Sequence, residues 1–589
     1  MKTKFYFLLI LVLCFSLKIL AQYSTAHIDA DNNLKITIHT HFSKNLIKSH
    51  KANQLIGWPK AFQSNPSFKN MRGVCLEDMN SDGADEIIFA ADNKLYVYNG
   101  LGVKLWEADL LGTAIYPPAV ADINNNGSVE VVQITGGSGS NARIHVFDEN
   151  GASLDGWPVS INGNWLVCSA ALADIDNDKN LEILVAERSS LGRLHVLKND
   201  GTSFDGNWPV ELDAYPAVTP SIAYNYKLRN ETGINALVQN LIVMCSTKSI
   251  FAFDTDGNIL DGFPIENENT SFSYQSPLIC DDLSKTEIIG SSHGNLPEFY
   301  DVLFDGLNSG INWSVPTVGN SWTYSPPTAI GLNETFDFYL FGQPGANGTD
   351  NFPTIHAFDP QGNYINGFPY ERTDGLEGFI TAMYSVDFDK LYVFTGSNSK
   401  DVNGFGYIHA YSANIDLSNF TEMPGFPIEV QGFTFMNGVN LGDVNNNQKL
   451  DLVVLSYDLD FQETDSVHIN VFEMDDIIYN PDYCYGTYKS NNLRNGYVNP
   501  FRYSADIETP QINNSVEVYP RVFENFINIE LNSNSKFDAF IYSSQGQLIN
   551  KLCDCEKKCT FNVQDLAKGI YFVKVKQNNN INTFKLIKL

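Results

Sequence analysis

Repetition limits the fold of this chain more than any other feature. A short alternating segment with a ring near its centre returns along most of the sequence. Its copies are Leu95-Tyr96-Val97-Tyr98, Ile144-His145-Val146-Phe147, Leu194-His195-Val196-Leu197, Ile250-Phe251-Ala252-Phe253, Ile355-His356-Ala357-Phe358, Ile408-His409-Ala410-Tyr411 and Val467-His468-Ile469-Asn470. A turn such as Asp148-Glu-Asn-Gly151 follows, and then Gly156-Trp157-Pro158, Gly262-Phe263-Pro264, Gly367-Phe368-Pro369 or Gly425-Phe426-Pro427, with a looser copy at Gly206-Asn-Trp208-Pro209. Two strands precede each alternating segment, as at Pro118-Ala-Val-Ala-Asp122 and Glu130-Val-Val. Four short strands in a period of about fifty residues predict the blade of a β-propeller. About eight units fit between roughly residues 57 and 500, with seven as the alternative. Gly57-Trp58-Pro59 stands alone before any complete unit. It is expected to supply the outer strand of the last blade, which removes an exposed edge.

Within a unit, the first two strands are joined by a loop of side-chain oxygens at positions one, three, five and nine. Asp174, Asp176, Asp178 and Glu182 hold these positions in one copy. Asp78, Asn80, Asp82 and Glu86 do so in a second, Asp122, Asn124, Asn126 and Glu130 in a third, and Asp443, Asn445, Asn447 and Asp451 in a fourth. Alternate residues of a tight loop converge on one point, and a carboxylate four residues later can close an oxygen cage suited to calcium. The helix-flanked calcium loop closes at position twelve, so this is a different device. The simpler alternative is a set of Asx-rich turns without metal. The all-carboxylate copy is expected to bind best, and the two Asn-rich copies less well. The middle units lack the loop: Cys280-Asp-Asp-Leu-Ser-Lys-Thr-Glu287 is shortened, and Ala223 to Leu237 reads as an inserted loop.

The chain has 589 residues, 43% of them hydrophobic and 13% aromatic, with a formal charge of −30. That composition supports a real core and disfavours nucleic acid and anionic membrane as partners. Met1-Lys-Thr-Lys4 and the apolar run Phe5 to Leu20 read as a secretory signal, 1–21. No later run is long and apolar enough to span a bilayer. The remaining divisions expected are an irregular segment 22–56 with a strand at Leu34 to His41, the repeats 57–503, a polar linker 504–515 and a terminal domain 516–589. Cys75, Cys168, Cys245 and Cys280 lie in or beside strand-like runs and read as small buried hydrophobes. Cys553, Cys555 and Cys559 are close enough for a local disulfide in an oxidising compartment.

The repeats resemble the FG-GAP/VCBS family, whose blades carry calcium loops of the form D-x-[DN]-x-[DN]-G-x-x-[DE]. The resemblance implies calcium at the four matching loops, with the Asn180 carbonyl as a backbone ligand beside Asp174, Asp176, Asp178 and Glu182. Lys179 and Gln448 stand where the family has glycine. The end of the chain resembles the type A C-terminal sorting domain of the type IX secretion system. Val518-Tyr519-Pro520, the Ser544-Gln-Gly546 turn, Leu566-Ala-Lys-Gly569-Ile-Tyr571 and a Lys-rich close carry the match, although Pro520-Arg-Val-Phe523 replaces the usual Pro-Asn-Pro. That implies passage through the type IX machinery to the medium or the outer cell surface.

The fold expected is therefore all-β: a seven- or eight-bladed propeller followed by a small C-terminal β-sandwich. No zinc-protease, nucleophile-elbow or phosphate-loop motif occurs. The five histidines of the third strands share their place with Tyr96 and Phe251, so ring packing between blades explains them better than a metal. Trp58, Trp157, Trp165 and Trp208 are candidates for sugar stacking by residue type only, and packing explains their repetition. The function expected is a calcium-binding surface module for adhesion to a glycan or extracellular protein. The alternative is a propeller-based polysaccharide lyase, which would show a Lys, Arg or His cluster around a central groove.

Overall fold

The computed structural model describes residues 23–28, 34–39, 51–500 and 516–588, apart from short internal stretches that begin at 137, 162, 231, 268, 273, 283, 305, 332, 345, 520, 524, 532, 544, 565, 567 and 578. Residues 1–22 and the 504–515 linker lie outside them. The chain divides into two compact units, Met1–Phe501 and Arg502–Leu589.

In the first unit the repeats become successive antiparallel sheets. The first sheet is built from Cys75–Glu77, Glu86–Ala91, Lys94–Tyr98 and Lys104–Asp109, paired in that order. Sheets two to seven follow the same order from residues 119–160, 171–211, 221–266, 278–316, 328–372 and 381–431. The eighth takes three strands from 439–478, and its outer edge is completed from the front of the chain. Lys60–Gln63 pairs antiparallel with Ser466–Ile478, setting Gln63 opposite Ser466 and Lys60 opposite Ile469. Ala52–Gln54, within the stretch read from sequence as irregular, pairs with the same strand. Tyr23–Ile28 pairs with Leu34–His39. Residues 223–237, read as an inserted loop, are instead parts of two long paired strands, Ser221–Asn230 and Gly233–Cys245, whose register shifts twice. Bulges explain the misreading, because they break the two-residue period that marks a strand.

Burial falls from the first strands outward. Glu86–Ala91 is buried throughout, Lys94–Tyr98 alternates, and Lys104–Asp109 is largely exposed. Inner strands covered on both faces read as continuous apolar runs, and the half-exposed outer ones alternate. The Gly-aromatic-Pro motif joins neighbouring sheets. The Trp157 indole donates to the carbonyl of Asn199 at 3.1 Å, and Trp208 to Thr255 at 2.8 Å. Trp58, ahead of the repeats, donates to Gly100 of the first sheet at 2.8 Å. These three tryptophans are only 7% exposed. Their repetition is packing. The peptide before proline is cis in all the Gly-aromatic-Pro copies.

One segment, 484–498, has no counterpart in the repeats. It hydrogen-bonds the first strands of seven sheets. The Asn492 amide donates to Leu76, and its carbonyl accepts from Val120. The carbonyls of Leu493, Asn495, Gly496 and Gly486 accept from Leu172, Ile222, Ile279 and Leu441. Cys484–Tyr485 pairs with Thr381–Ser385 of the seventh sheet. One short stretch can reach so many strands only if they converge around it. Two of its cations are fully enclosed. Lys489 Nζ meets the carbonyls of Thr219 and Pro220 and the Ser221 hydroxyl at 3.1, 2.6 and 2.7 Å, so its three donors have three acceptors. Arg494 reaches the carbonyls of Val74, Pro118 and Tyr488.

The second unit has a three-stranded sheet, Val516–Tyr519, Phe526–Leu531 and Lys558–Asn562, and a five-stranded one that includes Lys536–Ser543, Gly569–Gln577 and Asn580–Lys588. Ile527, Ile529 and Phe561 of the first share a core with Phe537, Ile541, Val573 and Val575 of the second. Cys555 and Cys559 are adjacent thiols here, and the Cys553 side chain lies outside the described residues.

Candidate metal centre

The four acidic loops fold alike. The position-one carboxylate turns back on its own loop. Asp174 Oδ1 and Oδ2 accept from the backbone N–H of Asp178 and Lys179, both at 3.1 Å. Asp78 receives Asp82 and Gly83 at 3.0 and 2.8 Å, Asp122 receives Asn126 and Gly127 at 3.0 and 2.8 Å, and Asp443 receives Asn447 and Gln448 at 3.0 and 2.7 Å. The position-nine carboxylate reaches across to the residue after position one. Glu86, Glu130, Glu182 and Asp451 accept from the N–H of Met79, Ile123, Ile175 and Val444, each at 2.9 Å. Position six has positive φ whatever its residue: 90° at Gly83, 91° at Gly127, 77° at Lys179 and 67° at Gln448. Lys179 and Gln448 therefore keep the loop, at a conformational cost of about 1 kcal/mol each.

The loops differ in what faces the centre. In the loop of sheet three, Asp174, Asp176 and Glu182 each bring an oxygen within 4.8 Å of the others. Asp178 is not part of that cluster; its carboxylate accepts from the backbone and side chain of Asn180 at 2.7 and 3.0 Å. Burial, and then the charges of Asp176, Asp178 and Asp174, push the Glu182 carboxyl up to about 8. A cation there would reverse both effects. In sheets one and two an amide separates the acids. Asn80 donates to Glu86 at 3.0 Å and Asn124 to Glu130 at 2.9 Å. In sheet eight Asn445 and Asn447 turn their amides to Glu473, at 3.1 and 2.5 Å, and Lys449 pairs with the same carboxylate at 2.5 Å. Glu473 lies outside the loop on a later strand, so spacing alone gave no sign of it.

Three acceptors in these loops are buried and have no hydrogen-bond partner: Asn124 Oδ1, Asn445 Oδ1 and Asp451 Oδ1. Burial, first of all, pushes the Asp451 carboxyl up to about 8. Unpaired buried oxygens beside carboxylates are the donor set a hard cation takes. The residues present fit calcium.

In sheet five an ammonium takes the cation's place. Lys285 pairs with the buried Glu287, which also accepts from the Tyr339 hydroxyl at 2.6 Å. The third-strand histidines divide. His145 stacks on Phe147 at 7°, and His356 is fully buried against Phe299. His195, His409 and His468 each meet a carboxylate: Glu187 at 2.6 Å, Asp374 at 2.8 Å and Asp458 at 3.1 Å.

Family models match two parts of the chain. The model for an FG-GAP-like repeat matches residues 122–185, which include the loops of sheets two and three. The model for a secretion system C-terminal sorting domain matches residues 517–589. No curated protein sequence matches. Among solved structures, the biofilm matrix protein Bap1 of V. cholerae is 14% identical, with 72% of this chain and 91% of that one covered and a TM-score of 0.36. The BP39L lectin of Burkholderia pseudomallei is 12% identical, with 62% and 99% covered and a TM-score of 0.40. The PilY1 C-terminal domain of Pseudomonas aeruginosa is 11% identical, with 66% and 93% covered and a TM-score of 0.35. Likeness this loose fixes no ligand. The chain carries an FG-GAP-like repeat and a type IX sorting domain, and the second marks it for export, secreted or attached to the cell surface. No helix among the described residues is long and apolar enough to cross a membrane.

Proposed function

We propose that this exported chain is a calcium-stabilised, eight-bladed β-propeller that serves as a binding or adhesion module outside the cell. The eight sheets are read as blades. The strand Lys60–Gln63, paired with the last of them, would close the ring, and 484–498, bonded to the first strands, would fill the axis. The propeller would span 57–503, between a signal at 1–21 with the segment 22–56 and a linker at 504–515. The sorting domain would be 516–589. Asp174, Asp176, Asp178, Glu182 and the Asn180 carbonyl would hold the strongest calcium, with weaker sites at Asp78, Asn80, Asp82 and Glu86, at Asp122, Asn124, Asn126 and Glu130, and at Asp443, Asn445, Asn447 and Asp451. Calcium would supply charge that fixes each loop between its strands. The observation that carries the metal is the cluster Asp174–Asp176–Glu182, three carboxylates whose oxygens lie within 4.8 Å of one another, with Glu182 buried.

The described residues do not favour a lyase. The buried cations near the axis, Lys489, Arg494 and Arg72, are occupied by backbone carbonyls rather than turned toward a groove.

Metal content of the purified chain, with thermal unfolding in calcium and in EDTA, tests this reading. Bound calcium and a clear drop in melting temperature on chelation are expected. A metal-free protein whose unfolding ignores EDTA would reduce the acidic loops to plain turns.

A further inference from the structure

This inference rests on the binding-module reading and gives it a site and a ligand class. Each first strand of a loop-bearing sheet runs from a non-repeating lead-in segment to its acidic loop, so lead-ins and acidic loops lie at opposite strand ends. The lead-ins of sheets four to six carry a connected line of rings. Tyr274 lies 5.3 Å from Tyr324, and Tyr324 lies 4.8 Å from Trp322. His293 stacks on Tyr274 at 5.1 Å, and the Arg188 guanidinium sits 4.6 Å from the Tyr215 ring. Trp322 is 49% exposed, against 7% for each tryptophan of the repeated motif.

Trp322 forms one wall of a cavity of about 370 Å³ whose other walls include Ser321, Glu377, Asn398, Phe433 and Phe435. That volume falls within the roughly 300–1,000 Å³ of small-molecule sites. Glu377 is 3% exposed, yet its Oε2 has no hydrogen-bond partner. A buried carboxylate oxygen left unmet is costly, which marks the group for explanation. Its surroundings are firmly built. Buried Arg72 donates to the carbonyls of Tyr274, Tyr324 and Glu377 at 3.0, 2.6 and 3.2 Å. Buried Arg372 ties Asp374 at 2.7 Å to the carbonyls of Gly375 and Gly396, and the Asn398 N–H reaches the Asp374 carbonyl at 2.9 Å.

We propose that this cavity binds a pyranose sugar, whose apolar face lies on the Trp322 indole and whose hydroxyls bond Glu377 and Asn398. An exposed indole offers a flat apolar face with a polar rim. A carboxylate oxygen accepts from hydroxyls, and an amide both donates and accepts. Burial pushes the Glu377 carboxyl up to about 7 and the Arg72 charge opposes this only in part, which favours neutral hydroxyl partners. Phe433 and Phe435, stacked 5.3 Å apart, complete an apolar wall.

The test is calorimetric titration of the calcium-loaded full chain with glucose, galactose, mannose, N-acetylglucosamine and their short oligomers, with tetramethylammonium as a cationic probe. Binding of at least one saccharide is expected. Trp322→Ala and Glu377→Gln should each weaken it at least tenfold without changing the melting temperature or metal content. Saccharide binding that neither substitution alters would place the ligand elsewhere, ending this site while the module reading stands. No saccharide binding by a chain that keeps its metal and melting temperature would end the ligand class, and so would capture of tetramethylammonium alone. Loss of the module reading itself would show separately, as insensitivity to EDTA.

Discussion

Sheets eight, one, two and three carry the acidic loops, while sheets four to seven hold the same kind of strand junction without them. In sheet three the junction gathers three carboxylate oxygens within 4.8 Å of one another. In sheet five the buried Glu287 is met by Lys285. On the calcium reading the sheet-three loop would take a cation from solution, while the sheet-five junction carries its own. The loop-bearing junctions also meet each other. Asp443 N–H donates to Asp85 at 3.0 Å, and the Asn446 amide donates to the Asp82 carbonyl at 2.9 Å. The aromatic cavity draws its walls mainly from the lead-ins of sheets six to eight. The difference suggests a division between a metal-set frame and a ligand face.

The largest effect expected is chelation. A site kept at a hundredfold excess of calcium over its dissociation constant contributes about 2.7 kcal/mol, and several sites add. Limited proteolysis should locate the change. In EDTA, cleavage near 78–86, 122–130, 174–182 and 443–451 should rise, with 281–287 unchanged. Equal protection across both sets of junctions would remove the distinction. Lys285→Met should come next, at roughly 3–5 kcal/mol, because it leaves Glu287 charged and buried without its ammonium partner. Its cost, read by denaturant unfolding, should be the same in calcium and in EDTA.

Asp174→Asn should lose one calcium by metal analysis, and with it about 2–3 kcal/mol of calcium-dependent stability. In EDTA the sign should reverse, because removing one charge relieves repulsion around Glu182. A variant less stable than the wild type in EDTA would show that Asp174 matters as a turn former and not as a ligand.

Acidity tests the acidic loops directly. The Glu182 and Asp451 carboxyls are pushed up to about 8 without metal, chiefly by burial. The chelated fold then binds more protons than the unfolded chain between their ordinary carboxylate values and about 8, so its stability from these groups falls as pH rises through that window. With calcium the slope should reverse, since protons compete for the ligands. Melting temperatures measured from pH 5 to 8 in both conditions should cross or converge; parallel curves would deny metal at these loops.

Much of this was legible because repetition averages out local noise. The Gly-aromatic-Pro copies, the alternating third strands and the orphan Trp58 all pointed to the pairing that Lys60–Gln63 makes with Ser466–Ile478. The oxygen spacing gave the four loops. Features present once were not legible. The segment 484–498 works through backbone carbonyls that any residue supplies and through single side chains, Lys489, Asn492 and Arg494, that follow no period. Trp322 and Glu377 lie in lead-ins without a period. Glu473 reaches its loop only through strand pairing with the segment that holds Asp451, opposite which it sits. Sequence offered Trp58, Trp157, Trp165 and Trp208 for a ligand by residue type only and favoured packing for them, and Trp58, Trp157 and Trp208 do pack between sheets.

The smallest effect tests whether loop geometry or charge dominates the third site. Lys179 holds φ of 77° where the first two loops have glycine, and its N–H still reaches Asp174. Lys179→Gly should remove about 1 kcal/mol of backbone strain, partly offset by the greater freedom of glycine in the unfolded chain. It also removes a positive charge from the neighbourhood of the carboxylates. A calcium affinity gain with stability nearly unchanged in EDTA would mean that charge is the stronger term. Equal gains in calcium and EDTA would mean that strain relief alone acts. The companion change Gln448→Gly alters strain with no change in charge, so the two substitutions together separate the terms.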